Sequence, residues 1–322
     1  MKPRVLIVED ITEPGKQFLR ENGYDLIISS DTSVEAIKRD IECCDAVLSK
    51  TILLTREILE SAKNLKVIGK HGAGIDNVVN INDANELGIY VVNTPYANSK
   101  SVAEFTIGFI IALTKNFRVM NSAVKNGDFY IAERVHGVEL SGKKLGLIGL
   151  GNIGKLVAKK AFHGLEMQVF AYDPHVSPAQ FPEDIIRVED VDEIYKGCDF
   201  ISLHLPATKE TVGSVDYRKL ALMKRGAYLI NCARGSIIVE ADLIRALKEN
   251  LIAGFATDVY ATEPPAPDNP LFSMDNVIHT PHCAALSHEA LDNMGYGAAL
   301  GIHEILSGQQ ATWCVNSNRI SR

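Results

Sequence analysis

Residues Lys144–Gly154 read KLGLIGLGNIG, and this stretch constrains the chain more than any other. An aliphatic run passes without a linker into G-x-G-x-x-G, the signature of a strand that turns sharply into a helix. Gly149 permits the tight turn, Gly151 lets the backbone approach a pyrophosphate, and Gly154 lets the helix pack closely on the strand. The helix N-terminus, with Asn152 and Ile153, then faces the phosphates. Glycines alone would equally make an ordinary turn. The context argues for more: the next strand-like run, MQVFAYD, ends at Asp173, about twenty residues on, where a carboxylate accepts both ribose hydroxyls of NAD and repels the 2′-phosphate of NADP. A dinucleotide site that prefers NAD is the expectation, and His175 just beyond reads as an exposed loop residue.

The same turn opens a series of six candidate strands, continuing through MQVFAYD, DFISLHLP, AYLINCARG, IAGFATDVY and NVIHTPH, at the spacing of a doubly wound parallel sheet. The first hundred residues alternate short β-branched runs (VLIVE, DLIIS, DAVLS, KVIGK) with amphipathic segments at 14–22, 34–40 and 55–61, which predicts a second parallel α/β sheet. Between the two series, residues 101–126 read as one long helix, apolar on most turns and in need of a buried partner surface. A last helix is predicted over 287–306 and closed by Gly308. The four prolines of EPPAPDNP, residues 263–270, sit between strong apolar runs and mark an ordered loop.

With 322 residues, 46% of them hydrophobic, the chain can bury two domain cores. Its net charge of −7 is spread without basic runs, so neither nucleic acid nor anionic lipid is an expected partner. The six cysteines show no C-x-x-C pairing or metal-finger spacing, and the first residues enter a strand pattern without a signal peptide. No metal site and a reducing, cytoplasmic setting are expected. The most apolar stretch, Phe105–Leu113, is too short to span a bilayer.

A nicotinamide implies hydride transfer, and reduction of a carbonyl by hydride needs a cation to polarise it and an acid for the developing alkoxide. Arg234 follows the strand LINCA and His282 follows NVIH, both at strand carboxyl ends, where open α/β sheets bind ligands. The planar guanidinium suits a carboxylate, and imidazole exchanges protons near neutrality. Glu263 is a candidate partner for the second imidazole nitrogen, fixing its tautomer and favouring its protonated form. Taken singly, each residue also fits a bland role: a surface ion pair, a solvated loop carboxylate, a strand-end cap.

The motifs KHGAGIDNV (70–78), GLGNIG with Asp173, HLPAT (204–208), INCARG (230–235), DVYATEPP (258–265) and TPHCA (280–284) occur in the order found in D-isomer-specific 2-hydroxyacid dehydrogenases, which the chain resembles from about residue 5 to 310. The family includes D-3-phosphoglycerate dehydrogenases, glycerate and hydroxypyruvate reductases, D-lactate dehydrogenases and formate dehydrogenases. The resemblance implies Arg234, Glu263 and His282 as the catalytic set. It implies Lys70 and the backbone around Gly72, Ala73 and Gly74 as substrate-binding, together with Arg234 and His282, and Asp258 against the nicotinamide carboxamide. It adds Pro174, His204, Pro206, Thr211, Cys232, Ala233 and Ala284 as further cofactor contacts. It implies a Rossmann-type NAD domain (99–287) inserted into a flavodoxin-like substrate-binding domain (1–98 and 288–322), a cleft that closes on two hinges, and a homodimer built on the helix after Ser101.

Of the departures from the family pattern, one bears on the substrate. Lys70 stands where phosphoglycerate enzymes often have Arg, keeping a cation in a less bidentate form. Cys283, Ala284 and Ala285 follow His282 where relatives commonly carry glycine, and DNVVN (76–80) lacks the aspartate that often ends that motif. With the sequence ending near residue 322, the C-terminal regulatory domain of some relatives is not expected. Lys70 and Arg134 are candidates for a second anionic group, with Arg134 also readable as a solvated loop charge. Phosphoglycerate-like, hydroxypyruvate, glyoxylate, lactate-type and sulfonated acids stay open. Formate enzymes normally pair the histidine with glutamine, which Glu263 opposes. The rival from another class is an NAD(H)-sensing corepressor of the C-terminal binding protein type.

Overall fold

The computed structural model describes residues 2–318 and divides into two compact units: residues up to Ser99 together with those from Ala285 onward, and residues Lys100–Ala284. Both are doubly wound parallel α/β sheets, as the alternating pattern requires.

In the first unit β1 (Arg4–Ile7), α1 (Glu13–Glu21), β2 (Asp25–Ile28), α2 (Val34–Ile41), β3 (Ala46–Ser49), α3 (Arg56–Ser61), β4 (Val67–Lys70), α4 (Ile81–Glu86) and β5 (Tyr90–Val92) alternate along the chain. The strands pair in the order β2-β1-β3-β4-β5, all parallel. Successive strand side chains point to opposite faces. Leu6 therefore joins the core of Ile37, Val47, Ile58 and Ile68, while Val5 and Ile7 join Leu19, Ala298 and Ile302 on the other face. The Ser33 hydroxyl caps α2 by accepting from the Ala36 N–H, and Asn80 caps α4 in the same way. The C-terminal helix His288–Leu306, capped by Ser287, lies against α1 so closely that a Cβ on Gly15 would sit 2.6 Å from the Gly295 carbonyl oxygen. Neither α4 nor the three-residue β5 stands out as a periodic run in the sequence.

The second unit begins with α5 (Ser99–Thr114) and α6 (Phe117–Lys125) and continues through β6 (Lys144–Ile148), α7 (Asn152–Leu165), β7 (Gln168–Tyr172), β8 (Ile185–Arg187), α8 (Val191–Gly197), β9 (Phe200–Leu203), α9 (Tyr217–Leu222), β10 (Tyr228–Asn231), α10 (Glu240–Lys248), β11 (Gly254–Thr257) and β12 (Val277–His279). Its sheet runs β12-β11-β10-β9-β6-β7-β8. Two expectations need correction. The predicted single helix over 101–126 is two helices, broken where Asn116 adopts a left-handed φ of 53° and donates its amide to the His136 carbonyl. Asn tolerates that conformation better than most residues, and the Thr114 carbonyl is released to the Val138 N–H. The sheet also has seven strands rather than six. The extra one, β8, is a three-residue edge strand with Ile186 half exposed, too short and too wet to give an apolar run.

Candidate active site

Functional side chains of the second unit gather at the carboxyl ends of its strands. After β6, Gly149 takes φ 98°, and a Cβ there would lie 2.4 Å from the His204 carbonyl oxygen. A Cβ on Gly154 would lie 2.5 Å from the Gly149 carbonyl oxygen, so the first turn of α7 touches the strand end. At Gly151, the N-cap of α7, a Cβ would meet nothing within 4 Å. Two glycines are thus demanded by packing, while the third keeps open the space at the helix N-terminus that a pyrophosphate needs. Asn152 and Ile153 form the first turn of α7. Asp173, just past β7 and followed by Pro174, accepts from the Leu150 N–H (2.8 Å) and the His175 N–H (2.9 Å). Each carboxylate oxygen keeps lone pairs for ribose hydroxyls. These residues fit a dinucleotide.

Around this turn, His204 follows β9, and its Nε2 lies 3.0 Å from the Ser202 hydroxyl. Desolvation pushes the His204 imidazole down to about 4, so it is neutral near neutral pH, with one ring nitrogen donating and the other accepting. Thr211 closes the loop after Pro206 by donating to the Pro206 carbonyl (2.6 Å). Cys232 and Ala233 continue β10; burial pushes the Cys232 thiol up to about 12, which removes thiolate reactivity near neutral pH.

The Asn231 side chain shapes the end of β10. Its carbonyl accepts from the Ala233 N–H (3.0 Å) and its amide donates to the Arg234 carbonyl (2.9 Å), folding the chain so that Arg234 leaves the strand end. Arg234 Nη1 donates to the Ala233 carbonyl (2.8 Å). The next residue, Gly235, packs on the Tyr260 backbone so tightly that a Cβ would fall 1.9 Å from the Tyr260 carbonyl carbon. That contact ties the arginine turn to the loop after β11.

In that loop Glu263 accepts from the Tyr260 N–H through Oε1 (3.0 Å) and faces His282 Nδ1 through Oε2 (2.7 Å). A carboxylate only accepts, so Nδ1 carries the hydrogen and Nε2 is left to exchange a proton. Both side chains are partly open to solvent. His163 also pairs with a carboxylate, Asp184, but in the last turn of α7, away from the strand carboxyl ends. His282 holds a left-handed φ of 52°. Asp258, 1% exposed, holds the segment in place by accepting from the Thr280 hydroxyl (2.6 Å) and the N–H groups of Cys283 and Ala284 (both 2.8 Å). The Tyr260 hydroxyl donates to the Thr280 carbonyl (3.2 Å).

In the first unit, Lys70 ends β4 and Gly72 follows at φ 126°. Thr94 clamps Gly72 from both sides: its hydroxyl accepts from the Gly72 N–H and its N–H donates to the Gly72 carbonyl, each at 3.0 Å. Asn93 donates its amide to the Ala73 carbonyl (2.7 Å), and Gly74 follows in the same loop. Lys70 is 6% exposed and donates to the Lys50 carbonyl. Arg134, the other candidate for a second anion, pairs with Asp128 at 2.5 Å on an exposed loop. Among the described residues no group of three or more His, Cys, Asp or Glu is disposed to hold a metal ion, and no helix is long and apolar enough to cross a membrane.

The model of the D-isomer specific 2-hydroxyacid dehydrogenase NAD-binding domain matches residues 107–284, more than half of the sequence. The chain belongs to this family. It is 38% identical over 314 residues to D-3-phosphoglycerate dehydrogenase of Archaeoglobus fulgidus and 39% identical over 319 residues to that of Methanocaldococcus jannaschii, which covers 97% and 98% of this chain. It spans about 60% of the length of those relatives. Among solved structures, the TT0316 protein of Thermus thermophilus superposes with a TM-score of 0.86 at 29% identity, over 97% of this chain and 99% of that one.

Sequence reasoning missed the residues that shape the family's motifs here. Asn231, Tyr260 and Thr280 hold the loops of the second unit, and Asn93 and Thr94 hold the glycine loop of the first. The available signal was a buried polar residue closing an apolar run, as Asn231 closes LIN and Thr94 follows VVN. Asn98 leaves its side-chain oxygen buried without a partner among the described residues, and nothing in its sequence context marks it.

Proposed function

We propose that the chain is an NAD-dependent oxidoreductase acting on the 2-carbon of a small D-2-hydroxy acid or the matching 2-keto acid. The observation that carries this reading is the His282–Glu263 pair, 2.7 Å apart, at the strand ends that also bear Arg234 and the glycine turn. NAD, when bound, supplies the two-electron acceptor or donor for the hydride. Gly149, Gly151, Gly154 and the start of α7 would hold its pyrophosphate, Asp173 its adenosine ribose, and the loops carrying Pro174, His204, Pro206, Thr211, Cys232, Ala233, Asp258 and Ala284 the remainder.

In the reductive direction His282 Nε2 gives a proton to the carbonyl oxygen as C2 receives the hydride. In the oxidative direction the same nitrogen takes the hydroxyl proton as the C2 hydride leaves. Glu263 fixes the donor tautomer and offsets imidazolium charge. Arg234 polarises the carbonyl and offsets alkoxide charge. In the first unit, Lys70 and the backbone at Gly72, Ala73 and Gly74 are the groups that the family resemblance assigns to a carboxylate. The names of those two relatives favour 3-phosphoglycerate, with a glycerate- or hydroxypyruvate-like acid as the alternative that the substrate panel separates from it. Exposed Phe117, Val124, Phe129 and Tyr130 on α6 and the turn after it support a second copy of the chain as partner, and six free thiols fit a reducing, cytoplasmic setting.

NADH oxidation against hydroxypyruvate, glyoxylate, pyruvate, 3-phosphohydroxypyruvate and 3-sulfopyruvate, with NADPH in parallel, tests the reading. One acid dominating by kcat/KM with NADH is the expected result. NADH binding without turnover on any acid would sink it in favour of a nucleotide sensor.

A further inference from the structure

A carboxylate ending a strand ordinarily faces water, yet Glu9, two residues past β1, turns onto the segment after β3. Its Oε2 accepts from three consecutive backbone N–H groups, Lys50 (2.8 Å), Thr51 (2.8 Å) and Ile52 (3.1 Å), and from the Ser49 hydroxyl (3.3 Å); its Oε1 accepts from the Thr51 hydroxyl (2.6 Å). Successive N–H groups converging on one point make an anion nest. The nest lies between β1 and β3, where the strand order β2-β1-β3-β4-β5 reverses and where sheets of this order bind their ligands. Here the anion is the chain's own. Partial burial pushes the Glu9 carboxyl up, but the donated hydrogen bonds outweigh it and hold the group below the usual carboxylate range, so Glu9 stays ionised near neutral pH.

The segment that Glu9 secures has one further task. The Lys50 carbonyl, between Ser49 and Thr51, accepts from the Lys70 ammonium. The Lys70 nitrogen lies beside the glycine loop: a Cβ on Gly72 would be 3.9 Å from it. A lysine stem has four rotatable bonds, and holding its head in one place costs conformational entropy unless a fixed partner defines the position. The Lys50 carbonyl is one such partner, and it stays fixed because the N–H groups on either side of it are tied to Glu9.

We propose that Glu9 is a positioning residue for substrate binding, filling the nest at residues 50–52 and thereby fixing the carbonyl that holds the Lys70 ammonium beside Gly72. This rests on the reading of Lys70 and the Gly72 loop as the substrate carboxylate site. Glu9 acts only through the segment it secures, so its removal acts on KM and spares the hydride step.

The test is steady-state kinetics of Glu9→Ala on the best 2-keto acid of the wild-type panel. KM is expected to rise about tenfold, with kcat within about threefold and NADH affinity unchanged, the pattern of lost ground-state positioning. Added acetate, entering the vacated nest, lowers the KM of Glu9→Ala and does not lower that of the wild type. In a Lys70→Met background Glu9→Ala has little further effect on KM, because both changes remove the same placed cation. A KM unchanged by Glu9→Ala, equal losses in kcat and KM without acetate rescue, or full additivity with Lys70→Met would each overturn the proposal while wild-type turnover keeps the functional reading standing. A wild type without turnover takes down both. If Glu9→Ala loses its cooperative melt, Thr51→Val, which removes one of the five donors, is read in its place: a raised KM at constant kcat supports the proposal and an unchanged KM overturns it.

Discussion

His282 combines three constraints that few residues share: a left-handed backbone, a carboxylate on Nδ1 and partial exposure of the ring. A non-glycine residue at positive φ costs roughly 1–3 kcal/mol, and here the neighbouring bonds to Asp258 maintain it. His282→Ala is expected to lower kcat by about two orders of magnitude or more while NADH binding, followed by fluorescence titration, is retained. Full turnover in that variant would refute the acid/base assignment. Asp258→Asn replaces an acceptor of three hydrogen bonds with a group that carries its own donors, so one N–H of the loop is left facing an amide. A kcat reduced about tenfold or more, with a lower melting temperature, is the outcome to look for by kinetics and thermal melts. The residue types at these positions were readable, since Arg, Glu and His followed predicted strands. What Asp258 does for the loop was not, because a carboxylate in a run of apolar residues does not announce which N–H groups it will face.

Among the elements, the glycine turn separates packing from function. Gly149 has φ 98° and no room for a Cβ, whereas Gly151 opens onto free space. Gly149→Ala is therefore expected to destabilise the second unit by at least about 1–3 kcal/mol in denaturant melts. Gly151→Val should leave the melt nearly unchanged and weaken NADH binding about tenfold or more, because its side chain enters the pyrophosphate space. Equal effects of the two changes on stability would contradict this division. The turn was legible because its three glycines sit at fixed offsets after an aliphatic strand. The break at Asn116 was not, since apolar periodicity continues through it and the change of direction depends on a carbonyl twenty residues away. β8 escaped notice for the opposite reason: as an exposed edge it needs little apolar sequence.

At the scale of the whole molecule, each unit holds a histidine whose desolvation disfavours the charged form, and this sets a pH dependence of stability. Burial, followed by the Lys50 and Lys70 charges, pushes His71 in the first unit down to about 4, and burial alone does the same to His204 in the second. An unfolded imidazole titrates near 6.5, so between about 6.5 and 4 the unfolded chain binds protons that the folded chain does not. Stability is full above that window and is lost as pH falls through it. Thermal melts from pH 7.5 to 4.5 should show a decline beginning near 6.5, made shallower by His204→Gln; a flat profile down to pH 4.5 would contradict it. The alternation of apolar runs, the glycine turn and the strand-end positions of Arg234 and His282 were determined by the sequence alone, because they depend on local period and on where a strand must stop. Tertiary structure decided that Glu263 meets His282 across 19 residues and that Glu9 meets Lys50 across 41. Both contacts join loops at the carboxyl edge of a parallel sheet, and the register between strands, which no local propensity encodes, brings such loops together.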